Sequence, residues 1–415
     1  MRSLSVFALV SGDAWSSMFD LVVSFLKFVA GAGTAALAAV AVSVGWKRFM
    51  PKRAVGAPSL LSSQPKAARS AIAIVAIAAA YFLPMWSGLP LIKTTDVDFL
   101  TLLCSSVVPF ILIALGLNVV VGMAGLLDLG YVGFYATGAY TVGVLTSKHA
   151  TWPWLLAFPL GVVVSLLIGV LLGAPTLRLR GDYLAIVTLG FGEIIRLSAQ
   201  NFDFLGASEG ISAIKRPPSA GFEPYSESLN KWYWVIGLTL ILITLFFLAR
   251  LENSRVGRAW TAIREDEDAA ELMGVPTFKY KLWAFAIGAA IGGLSGAFYA
   301  GQLTTIYPTG FDINKSILFL AAVVMGGLGN KWGAVLGGFA VAYLPERFRF
   351  IEDKRFVVFG LVLILMMIFR PQGLLPRKTG GKPADRDSGN RALKKLSDQL
   401  PGAQLLGTKN SAAVK

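Results

Sequence analysis

Charged residues are scarce in this sequence. Only 15% of its 415 residues are Asp, Glu, Lys or Arg, whereas soluble domains carry about 25%. Hydrophobic residues make up 55% of the chain, and this balance excludes a soluble globule. There is one cysteine, Cys104, and one histidine, His149. A disulfide within the chain and a Cys/His metal cluster therefore have no candidates. Because His149 lies on a short loop, a Ser-His-Asp triad has no good candidate either.

A nucleotide-binding loop is also missing. No stretch matches Gly-x-x-x-x-Gly-Lys-Ser/Thr, and the nearest one, before Lys382, has Pro376 where the first glycine is required. The only acidic cluster, Glu265 to Glu271, lies in a loop. We therefore predict no catalytic residues, no bound cofactor and no metal, and the chain cannot itself be an ATPase.

Long apolar runs dominate the remainder. Each is long enough, or nearly so, to cross a bilayer, which takes about 20 residues. They predict an all-α, polytopic membrane helix bundle of about 10–11 transmembrane helices, with Ile317–Leu344 divided into two short helices by Gly326, Gly327 and Gly329. The runs are Phe19–Gly45, Ser70–Leu89, Phe99–Val121, Ala124–Leu145, Trp152–Ala174, Tyr183–Ala199, Trp232–Ala249, Leu282–Gly301, Ile317–Leu344 and Phe356–Phe369.

The basic residues indicate an orientation. With alternating crossings, 25 of the 38 Lys and Arg residues fall on one side and 11 on the other. The positive-inside rule makes the richer side cytoplasmic, so we expect an external N-terminus and a cytoplasmic C-terminus. A re-entrant Ala124–Leu145 segment would change the count.

Three regions are predicted. Residues 1–69 form an N-terminal helix and a basic cytoplasmic linker, residues 70–377 a transmembrane domain with a cytoplasmic loop at 250–281, and residues 378–415 a basic cytoplasmic tail without regular structure. The loop from Asn201 to Lys231, on the opposite side, is either a docking site or a plain connection.

Ionisable and amide side chains inside apolar segments are candidates for a solute path, because they are costly in lipid. Glu193 and Arg196 lie three residues apart on one predicted helix, where they either neutralise each other or line a wet path. Asp128 lies in a glycine-rich stretch, with Asn118 as a possible partner. Glycines spaced four apart are expected to pack against other helices; they are Gly288, Gly292 and Gly296, Gly169 and Gly173, and Gly333 and Gly337.

The 250–281 loop contains the signals of a short amphipathic helix. Acids at Asp266 to Asp268 favour a helix start, and Gly274 followed by Pro276 is a stop signal. These signals predict a helix from about Asp266 to Met273, which is too short to be stable unless it docks on something.

The run Asp268-Ala-Ala-x-x-x-Gly274 resembles the Glu-Ala-Ala-x-x-x-Gly loop by which ABC importer permeases contact their ATPase subunits, with Asp in place of Glu. Four further stretches make residues 70–377 similar to the LivM-type branched-chain amino acid permeases. They are Leu115–Gly125, Arg178–Arg196, Gly257–Trp260 and Arg370–Pro376.

This resemblance implies a permease subunit in a bacterial inner membrane that carries leucine, isoleucine and valine. Its implied partners are a second homologous permease, two ABC ATPase subunits that use ATP and Mg²⁺, and a periplasmic amino-acid-binding protein. ATPase coupling would then involve Asp268, Ala269, Ala270, Leu272, Met273 and Gly274. Permeases for urea, amides or other amino acids remain alternatives, as does an ion-coupled secondary transporter in which Glu193 and Asp128 would couple the ion.

Overall fold

A computed structural model describes residues 99–147, 150–179, 181–217, 227–347, 355–369 and 373–375. The predicted apolar runs Phe19–Gly45 and Ser70–Leu89, the region 1–69 and the tail 378–415 lie outside these residues. Within the described ranges the chain is helical, and the only β-pairing there is a single antiparallel bridge between Ile211 and Ile306.

Eleven helices run through the described ranges. The first, α1, crosses Phe99–Met123 and includes two π-helical stretches, Leu103–Val107 and Asn118–Met123. The others are α2 Tyr131–Thr146, α3 Trp154–Thr176, α4 Asp182–Asn201, α5 Glu227–Glu252, α6 Arg255–Glu265, α7 Glu267–Leu272, α8 Thr277–Leu303, α9 Ile313–Gly326, α10 Lys331–Arg347 and α11 Arg355–Phe369.

The apolar runs predicted from residue 99 onward all contain helices, and Ile317–Leu344 is indeed divided, with a turn between α9 and α10. In the described part of the chain, five stretches are long and apolar enough to cross a membrane. They are Phe99–Met123, Trp154–Thr176, Asn230–Glu252, Thr277–Leu303 and Pro308–Gly326. The remaining runs form shorter helices, except α4, whose 20 residues include Glu193 and Arg196. An all-α membrane bundle is confirmed.

Close glycine contacts place α8 at the centre, against α1, α2 and α3. A Cβ atom on Gly292 would lie 3.2 Å from Phe134 of α2, and one on Gly173 would lie 2.9 Å from Leu282 of α8. The other four-spaced glycines, Gly288, Gly296, Gly169, Gly333 and Gly337, also face neighbouring helices. The expected packing role is therefore confirmed, because no larger side chain would allow these backbones to approach so closely.

Connections gather at two ends of the bundle. We call the end that holds α6 and α7 the α7 end. There the amides of Leu374 and Leu375 donate to the carbonyls of Met325 and Gly326, at 2.9 and 3.0 Å. Lys331 Nζ also lies 2.6 Å from Glu252 Oε2. The 250–281 loop, the turn between α9 and α10 and residues 373–375 thus share one end. The basic-residue pattern assigns these segments to one side of the membrane.

The opposite end, which we call the far end, holds the 203–217 loop. Its Ile211 pairs with Ile306, and the Ile214 amide donates to the Thr304 carbonyl at 3.0 Å. Gly143, near the end of α2, lies against Ile211 and Ile306. Gly125, which precedes α2, lies against Arg264 of α6 at the α7 end, so the chain from Gly125 to Gly143 extends from one end to the other. This course favours a crossing over a re-entrant loop for Ala124–Leu145.

Exposed aromatic side chains mark both ends. Trp283, Trp332 and Tyr183 are exposed towards the α7 end, and Trp152 and Tyr307 are exposed at the far end. Tryptophan and tyrosine favour membrane–water interfaces because their rings are apolar and their N–H or O–H groups need water. Two such bands with an apolar zone between them fit a bundle that spans a bilayer.

Candidate functional site

Helix α6 is fixed to the bundle by its apolar face. Its first turn is capped by Ser254, whose hydroxyl accepts from the amides of Val256 and Gly257 at 3.1 and 3.3 Å. Trp260 is fully buried, and its Nε1 donates to the Tyr280 carbonyl at 2.7 Å. The helix therefore holds the following segment at a defined place on the α7 end.

Both termini of α7 are capped as the sequence predicts. Asp266 Oδ1 accepts from the Ala269 amide at 2.9 Å, which closes the first turn. At the other terminus Gly274 has φ +84°, its amide donates to Glu271, and the Val275 amide donates to Ala270. This pair of bonds is a Schellman motif, which requires a left-handed residue such as glycine. The predicted Asp266–Met273 helix is confirmed, with Glu267–Leu272 as its helical residues.

The two faces of α7 differ sharply. Leu272 and Met273 are 88% and 84% exposed, and Asp268, Ala269 and Gly274 are also exposed. Ala270, in contrast, is only 4% exposed. We expected Ala270 on the outer surface, but the structure places it on the inner face, because α7 packs there against α6 and the start of α8.

An ion pair and a hydrogen bond tie α6 and α7 to the bundle. Glu267 of α7 pairs with Lys281, a buried lysine in the first turns of α8. Arg264 Nη1 donates to the Gly122 carbonyl, in the π-helical end of α1. The Arg264 stem also lies where a Cβ atom of Gly125 would be, within 3.0 Å of it. A displacement of α7 would therefore reach α8 through Glu267 and Lys281, and α1 through Arg264 of α6.

The intramembrane candidates Asn118 and Asp128 are both buried, but no hydrogen bond joins them. Asn118 Oδ1 accepts from the Gly329 amide at 2.8 Å, in the turn between α9 and α10. Asp128 Oδ1 accepts from the Gly130 amide at 2.9 Å. The expected partnership is wrong, because each side chain caps a backbone amide nearby. Both reach a solute only if neighbouring helices move.

Glu193 and Arg196 do form the pair that their spacing predicts. Arg196 Nε lies 3.0 Å from each Glu193 carboxylate oxygen, and Arg196 Nη1 lies 3.2 Å from Gln200 Oε1. Their side chains remain 37% and 21% exposed, respectively. The three residues form a polar stripe along α4 that faces outward from the bundle, so their pairing does not seal them from a solute.

The anchoring contacts are the functional feature that sequence reasoning missed. Arg264 and Gly122 are 142 positions apart, and Asn118 and Gly329 are 211 apart. Lys281 carried a weak signal, since it is a lysine at the start of an apolar helix. No periodicity indicates which carboxylate such a lysine meets.

Comparison with known proteins decides the class of the molecule. The model of a family described as branched-chain amino acid transport system, permease component, matches residues 99–369. The chain belongs to this family. Its match covers all the described helices.

The permease protein LivM of Salmonella typhimurium is 41% identical over 289 residues, which are 64% of this chain and 68% of that protein. LivM of Escherichia coli is 39% identical over 305 residues, 68% and 70% of the two chains. The permease LivH of Escherichia coli is 26% identical over 285 residues, 65% and 91% of the two chains. No solved structure matches the chain. As a member of this permease family, the chain is a multi-pass membrane transport subunit.

Proposed function

We propose that this chain is the permease subunit of an ATP-binding-cassette importer that carries leucine, isoleucine and valine across the inner membrane. The names of its LivM relatives, high-affinity branched-chain amino acid permeases, support this cargo. Its weaker similarity to LivH supports a second, homologous permease as partner. Two ATPase subunits, which would use ATP and Mg²⁺, and a periplasmic binding protein complete the proposed assembly.

The observation that carries the ATPase partnership is the outer face of α7. Leu272 and Met273 project almost fully exposed from a helix of six residues, on the same end as the basic segments. Isolated helices of this length do not persist in water, and here two caps and the Glu267–Lys281 pair hold the helix. A rigid helix with an apolar tip fits insertion into a groove of a cytoplasmic partner. Asp268, Ala269 and Gly274 would border that contact.

The solute path is proposed along the α4 stripe. An amino acid is a zwitterion, and the stripe offers an anion, a cation and an amide, with Arg196 3.0 Å from the Glu193 carboxylate and 3.2 Å from Gln200 Oε1. A charged solute in the membrane needs such partners, because isolated charges there are costly. Buried Asn118 and Asp128 would join the path only in another conformation.

Reconstitution tests the proposal. Proteoliposomes are prepared with the complete set of subunits and with each subunit omitted in turn, and uptake of labelled leucine is measured with and without internal ATP. We expect uptake only from the complete set with ATP, with competition from isoleucine and valine. Uptake driven by an ion gradient without ATP would instead identify a secondary transporter. Competition by urea or amides, but not by isoleucine, would reassign the cargo.

A further inference from the structure

A large apolar cavity lies between α2, α3 and α4, apart from the polar stripe and from the α7 end. Its volume is about 540 Å³, and it is open on one side. Helices α3 and α4 pack mainly on α2 and only slightly on one another, which leaves the gap. The surfaces of α3 and α4 beside it carry exposed apolar side chains such as Leu160, Ile194 and Leu197.

The lining excludes a polar occupant. None of the residues that line the cavity is charged. The hydroxyls of Thr137 and Thr141 donate to carbonyls of their own helix, at 2.8 and 2.7 Å. A zwitterionic amino acid would find no charged partner here, and apolar cavities do not retain water. The occupant that fits is a hydrocarbon.

The depth of the cavity suits a single acyl chain. The lining on α2 extends from Thr137 to Leu145, about 12 Å along the axis. One leaflet contributes about 15 Å of hydrocarbon. The depth of the cavity thus matches an acyl chain of one leaflet.

The position of the cavity along the bundle indicates which leaflet it faces. Leu145 is next to the last residue of α2, and Phe204 and Leu205 belong to the loop at the far end. Thr137 lies near the middle of α2. The cavity therefore occupies the half of the bundle nearer the far end. Tyr140, in its wall, is buried and its hydroxyl has no hydrogen-bond partner among the described residues.

We infer that this cavity binds one acyl chain of a phospholipid from the leaflet at the far end, wedged between α3 and α4 against α2. Transfer from bilayer to cavity gains no hydrophobic energy, because lipid tails are as apolar as leucine. Binding depends instead on close packing along the walls. The wedged chain would set the separation of α3 from α4, the helix that carries Glu193 and Arg196.

Photolabelling in native membranes tests the inference. The probe is a phosphatidylethanolamine with a diazirine in the middle of one acyl chain, and adducts are mapped by mass spectrometry after irradiation. We expect adducts on residues 137–145 of α2, which α3, α4 and α8 shield from the bulk bilayer. Adducts confined to the outer surface of α3, at residues such as Leu156 and Leu167, would overturn the inference. So would adducts on α2 that form in detergent but not in membranes.

Filling variants provide the matched control. Val164→Phe adds bulk inside the cavity, whereas Val163→Phe adds the same bulk on the exposed outer face of α3. We expect Val164→Phe to reduce α2 adducts at least fivefold and Val163→Phe to leave them unchanged. Ala199→Leu fills the cavity from α4 and replaces Val164→Phe if that variant does not accumulate. Undiminished adducts in a folded filling variant would overturn the inference. Photolabelling measures lipid binding without measuring transport. The inferred lipid site can therefore be refuted or confirmed independently of the proposed cargo.

Discussion

At the scale of single residues, the Glu193–Arg196 pair serves either the fold alone or the solute path, and a paired substitution distinguishes the two roles. The two side chains neutralise each other, yet both remain partly exposed beside Gln200. A purely structural pair can be replaced as a unit at little cost, because both desolvation penalties disappear together. A pair on a solute path cannot be replaced in this way, because the solute loses its partners.

We therefore predict that Glu193→Leu combined with Arg196→Leu reduces leucine uptake at least tenfold while the protein still accumulates in the membrane. Uptake by the reconstituted importer and membrane abundance are measured side by side. Gln200→Leu, which removes an uncharged polar side chain from the same stripe, is the control, and we expect a smaller loss from it. Normal uptake by the double variant would leave only the structural role.

Arg264 is the residue through which α6 holds α1. Its guanidinium donates to the Gly122 carbonyl, in a π-helical segment next to Gly125. We predict that Arg264→Ala lowers the stimulation of ATP hydrolysis by loaded binding protein severalfold, because α7 then moves without displacing α1. Arg258→Ala is the matched control, since Arg258, on the same helix, donates to the Asn253 carbonyl at 3.3 Å rather than to α1. Equal stimulation in both variants would contradict a linking role for Arg264.

At the scale of elements, α7 depends on the backbone of one glycine. Gly274 has φ +84°, and no atom lies within 4 Å of the place where its Cβ would be. A side chain there meets no steric obstacle within this chain, so the cost of substitution is the left-handed backbone itself, about 1–2 kcal/mol for most residues. Asparagine tolerates this conformation better than other residues do.

We predict that Gly274→Val abolishes most ATP-dependent uptake while expression and membrane insertion persist, and that Gly274→Asn retains the larger part of it. Co-purification of the ATPase subunits and stimulated ATP hydrolysis are measured in the same preparations. Loss of membrane abundance before loss of coupling would show that α7 serves its own bundle instead. Full coupled uptake by Gly274→Val would refute the docking role.

The glycine faces of α8 give a second prediction at this scale. A Cβ atom on Gly296 would overlap the Tyr135 carbonyl and lie 2.9 Å from the Ala139 amide nitrogen. We expect Gly296→Val to destabilise the bundle by several kcal/mol, because backbone cannot retreat as a side chain can. Gly190→Val, in α4, is the control because nothing lies within 4 Å of its Cβ position. Thermal unfolding of the purified proteins compares them.

The limits of sequence reasoning are also clearest in these elements. Local start and stop signals predict α7, and the glycines within a long apolar run predict the division between α9 and α10. Both features are set by residues that are close together in the sequence. The inward position of Ala270 and the bonds from Asn118 to Gly329 and from Arg264 to Gly122 depend on packing between distant segments. No pattern within one helix specifies them. The apolar cavity likewise depends on how helices α2, α3 and α4 pack together.

At the scale of the whole molecule, charge and contacts lead to the same division of the chain. The loop 252–281, the turn after α9 and residues 373–375 meet at the α7 end. The 203–217 loop and the segment after α8 meet at the far end. Alternating crossings assign 25 of the 38 basic residues to the side of the 250–281 loop, which lies at the α7 end, so we expect that end to face the cytoplasm.

We predict that a cysteine at Arg258 is labelled by a membrane-impermeant maleimide only after cells are permeabilised, whereas a cysteine at Glu209 is labelled in intact spheroplasts. Both positions are exposed, one on α6 and one in the far-end loop. The native Cys104 is buried and is the only cysteine of the chain, so the unsubstituted protein serves as the background. The cells lack the ATPase subunits, so that a docked partner cannot shield Arg258. Labelling of the Arg258→Cys variant in intact spheroplasts would show that the orientation is the opposite one. Helix α7 would then lie where no cytoplasmic ATPase can reach it.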